Sequence, residues 1–175
     1  LEPKAPGAVR TWLSTAKLTS LLPAVPAEAE AQLRRLKYSR NEIQAVSTIL
    51  RLVPELQALV QPELTPLLPV AAISLKQQYE FFQAVGVTFP AVAVLAIAQG
   101  VPQTAIVPLI QRFLNPDDPV AYPTPLVTGQ DLMTTLHLPA GPRIGQLLAA
   151  IQLARAEGKI ATPDDALKLA ADMVQ

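Results

Sequence analysis

The chain has 175 residues, half of them hydrophobic, enough to bury one full core or two small, closely joined helical lobes. Only 16% are charged, against about 25% in an average domain, which suggests that part of the surface is covered by another chain or domain. Fourteen Lys/Arg balance fourteen Asp/Glu, which argues against a simple electrostatic grip on nucleic acid, yet residues 1–60 carry +3 and residues 61–175 carry −3.

Leu1–Gly7 begins on Leu rather than Met and reads as a Pro-rich lead-in (residues 1–7), expected to mark a cut from something larger. Residues 8–60 read as a helical body segment. Within it Ala27–Leu36 is rich in Ala and Glu, and Glu30 stands four residues before Arg34, the favourable order for a helix pair. Ser39-Arg40-Asn41-Glu42 has the form of a capping box, followed by an amphipathic stripe of Ile43, Val46, Leu50 and Val53. Pro54 is expected to kink this helix or to end it at Val53.

Pro62, Pro66 and Pro69 mark residues 61–73 as a linker, the best candidate boundary between two lobes. Residues 74–114 then read as a buried helical core. Ser74-Leu75-Lys76-Gln77 opens a helix to about Val85, before Gly86. Two short segments follow, near Phe89–Gln99 and Gln103–Leu114, apolar almost all round and hence central; short buried strands are the alternative. Residues 115–127, with Asp117, Asp118 and four prolines, form a second linker. The tail, residues 128–175, holds a short helix from Thr128 to about Leu136, a helix after Gly141-Pro142 with Ile144, Leu147, Leu148, Ile151 and Ala154 on one stripe, a left-handed stop at Gly158, and a last helix opened by Thr162-Pro163-Asp164-Asp165. An all-α array of short helices with Pro-rich connections is expected.

No catalytic constellation is visible. The one histidine, His137, cannot build a His-rich metal site, and between Leu136 and Leu138 it has an ordinary packing or surface role. Asp117-Asp118 could bind a hard cation but reads more simply as a turn. None of the seven glycines forms a phosphate-cradling loop, and without cysteine there is no disulfide or thiolate chemistry. No secretory leader is apparent, and the apolar run Val87–Ile97 falls short of the ~20 residues of a membrane helix. A soluble cytoplasmic protein without its own metal or cofactor is expected.

The run Thr128–Ala170 carries a resemblance. It reads Thr-Gly-Gln-Asp-Leu, Pro-Ala-Gly-Pro-Arg-Ile-Gly-Gln-Leu-Leu, Ile-Gln-Leu-Ala-Arg-Ala-Glu-Gly-Lys-Ile and Thr-Pro-Asp-Asp-Ala-Leu. This resembles the C-terminal tail of bacterial class II tRNA nucleotidyltransferases, which include CCA-, CC- and A-adding enzymes and poly(A) polymerases. The matching motif residues are Thr128, Gly129, Asp131, Leu132, Gly141, Pro142, Gly145 and Gly158, mainly structural in role. More loosely, Leu33–Leu52 is similar to the family's body region, and Asp118–Ala121 with Pro123–Leu126 resembles cyanobacterial members.

The resemblance implies a helical body and tail that hold the tRNA acceptor stem and elbow. The catalytic head and neck, with Mg2+ and ATP or CTP, would lie elsewhere, because the family's acidic pair and nucleotide-pairing motif are absent from this sequence. Phosphate contacts fall to Lys/Arg and fix register without reading bases. Candidates in the body are Arg34, Arg35, Lys37, Arg40 and Arg51; Arg51 lies eleven residues past Arg40, about three turns, and so shares its face. A solvated helix face would explain the same cluster. Tail candidates are Arg143, Arg155 and Lys159. Arg143 is preferred, as a cation at a helix start, whereas the other two also suit a helix end. The rival reading is a helical protein-interaction module, docking a partner or a second copy as a homo-oligomer.

Overall fold

The computed structural model describes residues 11–60 and 73–174, and over these the chain is an array of nine α-helices with no strand element. The lead-in at 1–7 and all but the last residue of the linker at 61–73 lie outside the described residues. Two compact units are present. Of the described residues, one comprises those up to Ile73 with Glu80–Leu114; the other comprises Ser74–Tyr79 with those from Asn115 onward.

In the first unit α1 (Trp12–Ser20), α2 (Pro26–Arg35), α3 (Arg40–Val60), α5 (Phe89–Ala98) and α6 (Gln103–Leu114) pack together. Helix α4 (Leu75–Val85) is divided between the units at Tyr79/Glu80, and a 3-10 turn, Gly86–Thr88, joins it to α5. α5 is central: α1, α3 and α6 all pack on it. Its sequence explains this, since Ala91, Val92 and Ala96 are fully buried and the small alanines let neighbouring backbones come close. Phe81, Phe82, Phe89 and Phe113 gather around its start, Phe89 and Phe113 with ring centroids 4.8 Å apart. Each such pair adds about 0.5–1.5 kcal/mol beyond the area it buries.

Helix α1 falls within the segment 8–60 that reads as helical, although no local pattern marks its bounds. Thr11 caps it, its hydroxyl accepting from the Ser14 N–H at 3.2 Å, and Trp12, Ala16 and Thr19 are buried. Of the two outcomes expected at Pro54, the end at Val53 does not occur; the helix runs on to Val60. Both apolar segments after Gly86 are helical rather than strands. α6 differs from the expectation of all-round burial, because only its Ile106 and Leu109 are buried while Val107 and Leu114 are exposed.

By length and composition Arg40–Val60 and Leu75–Ala98 could each cross a membrane, which the Val87–Ile97 run alone did not suggest. In this fold their apolar residues form core: Ile49, Leu52 and Leu56 are fully buried and Phe89 is 1% exposed.

The second unit packs α7 (Gly129–Leu136), α8 (Pro142–Ala156) and α9 (Pro163–Val174) pairwise. Val127, Leu132, Ile144, Leu147, Ile151, Ala166 and Ala170 make its core. Before α7 the chain is tied by turns: Asn115 Oδ1 accepts from the Asp117 N–H, and Asp118 Oδ1 from the N–H groups of Val120 and Ala121.

Candidate nucleic-acid interface

The body cations sit where two helices meet. Leu33 on α2 is fully buried against Ile43 and Val46 of α3, with Leu18, Leu22, Tyr38 and Leu50 packed around them. The link between the helices is short because Lys37 takes a left-handed conformation, φ 57°. That turn lets the Tyr38 N–H donate to the Leu33 carbonyl at 3.0 Å and the Lys37 N–H to the Arg34 carbonyl at 3.1 Å, closing α2. The expected capping box then opens α3: the Glu42 N–H donates to Ser39 Oγ at 3.3 Å, and the Ser39 N–H to Glu42 Oε2 at 3.0 Å.

Beside this corner lies a cavity of about 820 Å³, with Arg34, Tyr38, Arg40, Ser47 and Arg51 among its lining residues. Arg40 and Arg51 do share a face, as their spacing predicts, and α2 adds Arg34 from the other side. Arg35 and Lys37 are exposed at the same corner but do not line the cavity.

The guanidiniums in this groove are loosely held. Arg34 pairs with Glu30 at 3.4 Å and Arg51 with Glu55 at 3.6 Å, all four side chains at least 36% exposed. Exposed pairs of this kind contribute about 0–1 kcal/mol, so an incoming phosphate competes for them at little cost. Arg35, Lys37 and Arg40 make no ion pair among the described residues. Arg40 is also the first residue of α3, where the helix dipole disfavours a cation. Helix stability therefore does not explain it.

The sequence reading missed what lies between these cations. Ser47 Oγ donates to Glu30 Oε1 at 2.8 Å, so a carboxylate from α2 is anchored to α3 inside the groove while its other oxygen faces Arg34. Seventeen residues separate Glu30 from Ser47, and no local pattern signals the pair.

The tail cations are differently placed. Arg143 donates to the Val174 carbonyl at 3.1 Å, joining the start of α8 to the end of α9. Arg155 donates to the Thr124 carbonyl, and Lys159 pairs with Glu157 at 2.7 Å. Each has an intramolecular partner, which gives Arg143 a structural explanation that the sequence did not supply.

Most of the tail motif is architectural. Thr128 and Asp131 form a complete capping box, whose backbone and side-chain hydrogen bonds from Thr128 hold the Asp131 carboxyl below the usual carboxylate range. Leu132 is fully buried. A Cβ on Gly129 would meet Ile144 Cγ2 at 3.2 Å, so glycine allows α7 to start against α8. Pro142 is the first residue of α8, and Gly158 has φ 73°, the Lys159 N–H reaching back to the Ala154 carbonyl at 2.9 Å. Gly141 precedes Pro142 with φ 169°, extended backbone that any residue adopts. Nothing in the structure explains the glycine at Gly145, where an added Cβ would meet open space.

No ligand set suited to the Mg2+ that the resemblance implies is gathered among the described residues. No group of three or more His, Cys, Asp or Glu converges, and Asp118 is engaged as a turn acceptor. His137 is an exposed left-handed cap at the end of α7, φ 51°.

With this geometry in place, comparison with known proteins is informative. Residues 10–171 match the family model for tRNA nucleotidyltransferase domain 2. The CC-adding tRNA nucleotidyltransferase of Synechocystis sp. is 38% identical over 163 residues, covering 92% of this chain and 37% of that enzyme. The A-adding tRNA nucleotidyltransferase of Deinococcus radiodurans is 46% identical over 46 residues, 26% of this chain and 11% of that enzyme. The chain thus spans little more than a third of the first relative and about a tenth of the second. No solved structure matches.

Proposed function

The chain belongs to the tRNA nucleotidyltransferase family through that second domain, and on this premise we propose that it holds tRNA for nucleotide addition to the 3′ end. The acceptor stem lies along the first unit and the elbow against the second. The chain does not itself catalyse transfer; a head and neck outside it carry the Mg2+ and the ATP or CTP, in the cytoplasm.

The observation that supports this most is the α2–α3 groove, in which Arg34, Arg40 and Arg51 share one concavity and keep only weak partners or none. A groove of loosely paired guanidiniums suits a phosphodiester backbone, because each arginine can present two donors to one phosphate. The net neutrality of the chain is no obstacle, since the positive charge is local.

The test is binding of the whole chain to full-length tRNA and to an acceptor-arm minihelix across a salt series. Each phosphate contact contributes about 0.9 to the slope of log affinity against log salt on a duplex. Changing Arg34, Arg40 and Arg51 together to Glu is expected to flatten the slope by roughly 2–3 and to weaken binding by more than tenfold. Wild-type affinity that ignores salt, or that survives the triple change, would refute the reading.

A further inference from the structure

A phosphate-binding groove gains nothing from a carboxylate in its lining. Glu30 nevertheless stands there, and not as a loose surface acid. Ser47 on the opposite helix donates to one of its oxygens at 2.8 Å, while Arg34 approaches the other at 3.4 Å. Its side chain is 36% exposed, so it is partly sheltered yet still reachable from the cavity. A phosphate set directly over it would be repelled. A backbone tracking Arg34, Arg40 and Arg51 must therefore turn something other than phosphate toward Glu30. A carboxylate oxygen accepts more than one hydrogen bond, and an ionised carboxylate accepts only. The group facing it must be a donor.

We propose that Glu30 is a specificity-determining residue: it accepts a hydrogen bond from a ribose 2′-hydroxyl of the strand in the α2–α3 groove, distinguishing ribose from 2′-substituted or deoxy sugar. This rests on the RNA-holding role proposed above. Among the groups on the outer, sugar-phosphate edge of a paired RNA strand the 2′-hydroxyl is the hydrogen-bond donor, and it marks RNA apart from DNA. The arginines supply affinity without this distinction; the carboxylate that lines the groove with them supplies the distinction. Ser47 is the positioning residue, fixing the carboxylate from the other wall.

The experiment compares an all-ribose acceptor-arm minihelix with one carrying 2′-fluoro sugars throughout, which retains A-form geometry and phosphates but has no 2′ donor. Binding of both is measured with the wild-type chain and with Glu30→Ala, Glu30→Gln and Ser47→Ala. A hydrogen bond to a charged group makes the ribose preference at this site about tenfold or more. Glu30→Ala is expected to reduce the overall ribose-to-fluoro ratio by about that factor, chiefly by weakening the ribose complex. Ser47→Ala keeps the carboxylate but frees it from the opposite wall, and is expected to lower the ratio by a smaller factor than Glu30→Ala does. If Glu30→Ala and Glu30→Gln leave the ratio unchanged, the inference is overturned even when RNA still binds through the arginines. If Glu30→Ala weakens both minihelices equally, the carboxylate is structural or meets a base amino group, and the 2′ assignment is again wrong. Failure of the wild-type chain to bind either minihelix would remove the RNA reading and this inference together.

Discussion

Two glycines of the tail motif occupy opposite surroundings, and one methyl group added to each separates packing from motif. At Gly129 the new Cβ meets Ile144 Cγ2 at 3.2 Å. Ile144 is buried and β-branched, so its side chain has little freedom to give way. Gly129→Ala is expected to destabilise the chain by about 1 kcal/mol through overpacking. Gly145 lies inside α8 with open space around it, and there Gly145→Ala is expected to stabilise by about 0.5–1 kcal/mol, the ordinary cost of glycine in a helix. Thermal melts of the two variants should move in opposite directions. Their shared place in the motif gave no hint of this, because the motif records residue type and not what faces it.

Acidity acts at the same scale. The Asp131 carboxyl is lowered by the backbone and side-chain hydrogen bonds of Thr128, and Asp165 by the Thr162 side chain and then by the N–H groups of Thr162 and Ala161. A folded value below the unfolded one means that the charged form is favoured in the native state. The stability this adds is complete above the unfolded value and is lost as pH falls through the folded one, a window that opens at about pH 4 and extends downward. The double variant Asp131→Asn/Asp165→Asn should melt below the parent at pH 7, and the gap should narrow on acidification to pH 2.5. A constant gap would mean that the carboxylate charge is not what the caps use.

At the level of elements, several helix starts were legible and the bounds of α1 were not. Ser39/Glu42, Ser74/Gln77, Thr128/Asp131 and Thr162/Asp165 each form the reciprocal pair of hydrogen bonds that their spacing implies. Such a box is local, requiring only four consecutive residues, which is why sequence reveals it. Ser39→Ala should cost about 1 kcal/mol in urea unfolding, and it would loosen the turn that presents Arg40. Helix α1 lacks that signature, and its buried stripe contains Thr15 and Thr19, which read as polar. Their hydroxyls are satisfied within the helix by the carbonyls of Thr11 and Thr15, so burying them leaves no donor unpaired. That Pro54 does not end α3 at Val53 has a different reason. Interrupting a helix costs about 3 kcal/mol, but Ile49, Leu52, Val53 and Leu56 are all within 2% of full burial around it. Each such aliphatic contributes roughly 1.5–3 kcal/mol, so packing outweighs the lost hydrogen bond, and Pro54 itself faces solvent.

For the whole molecule, the spacing of Arg40 and Arg51 predicted a shared face, but the groove needed α2 packed on α3, and Glu30 with Ser47 became visible only through that tertiary contact. The two compact units also divide the proposed task, which can be tested without cutting the chain. Leu132 is fully buried in the core of the second unit and absent from that of the α2–α3 corner. Leu132→Ala should therefore cost about 2–5 kcal/mol, a loss borne by the α7–α9 core. If the first unit receives the acceptor stem and the second the elbow, this variant should bind an acceptor-arm minihelix within about twofold of wild type, since the Leu132 core shares no residue with the α2–α3 corner and effects without shared partners add. Full-length tRNA, which also engages the second unit, should bind more weakly as that unit opens. Amide exchange would report the opening directly: protection should fall across α7–α9 and persist in α3 and α5. Equal loss of minihelix and tRNA binding, with protection falling throughout, would instead mean that the two units fold as one cooperative block and that the elbow cannot be assigned to the second alone.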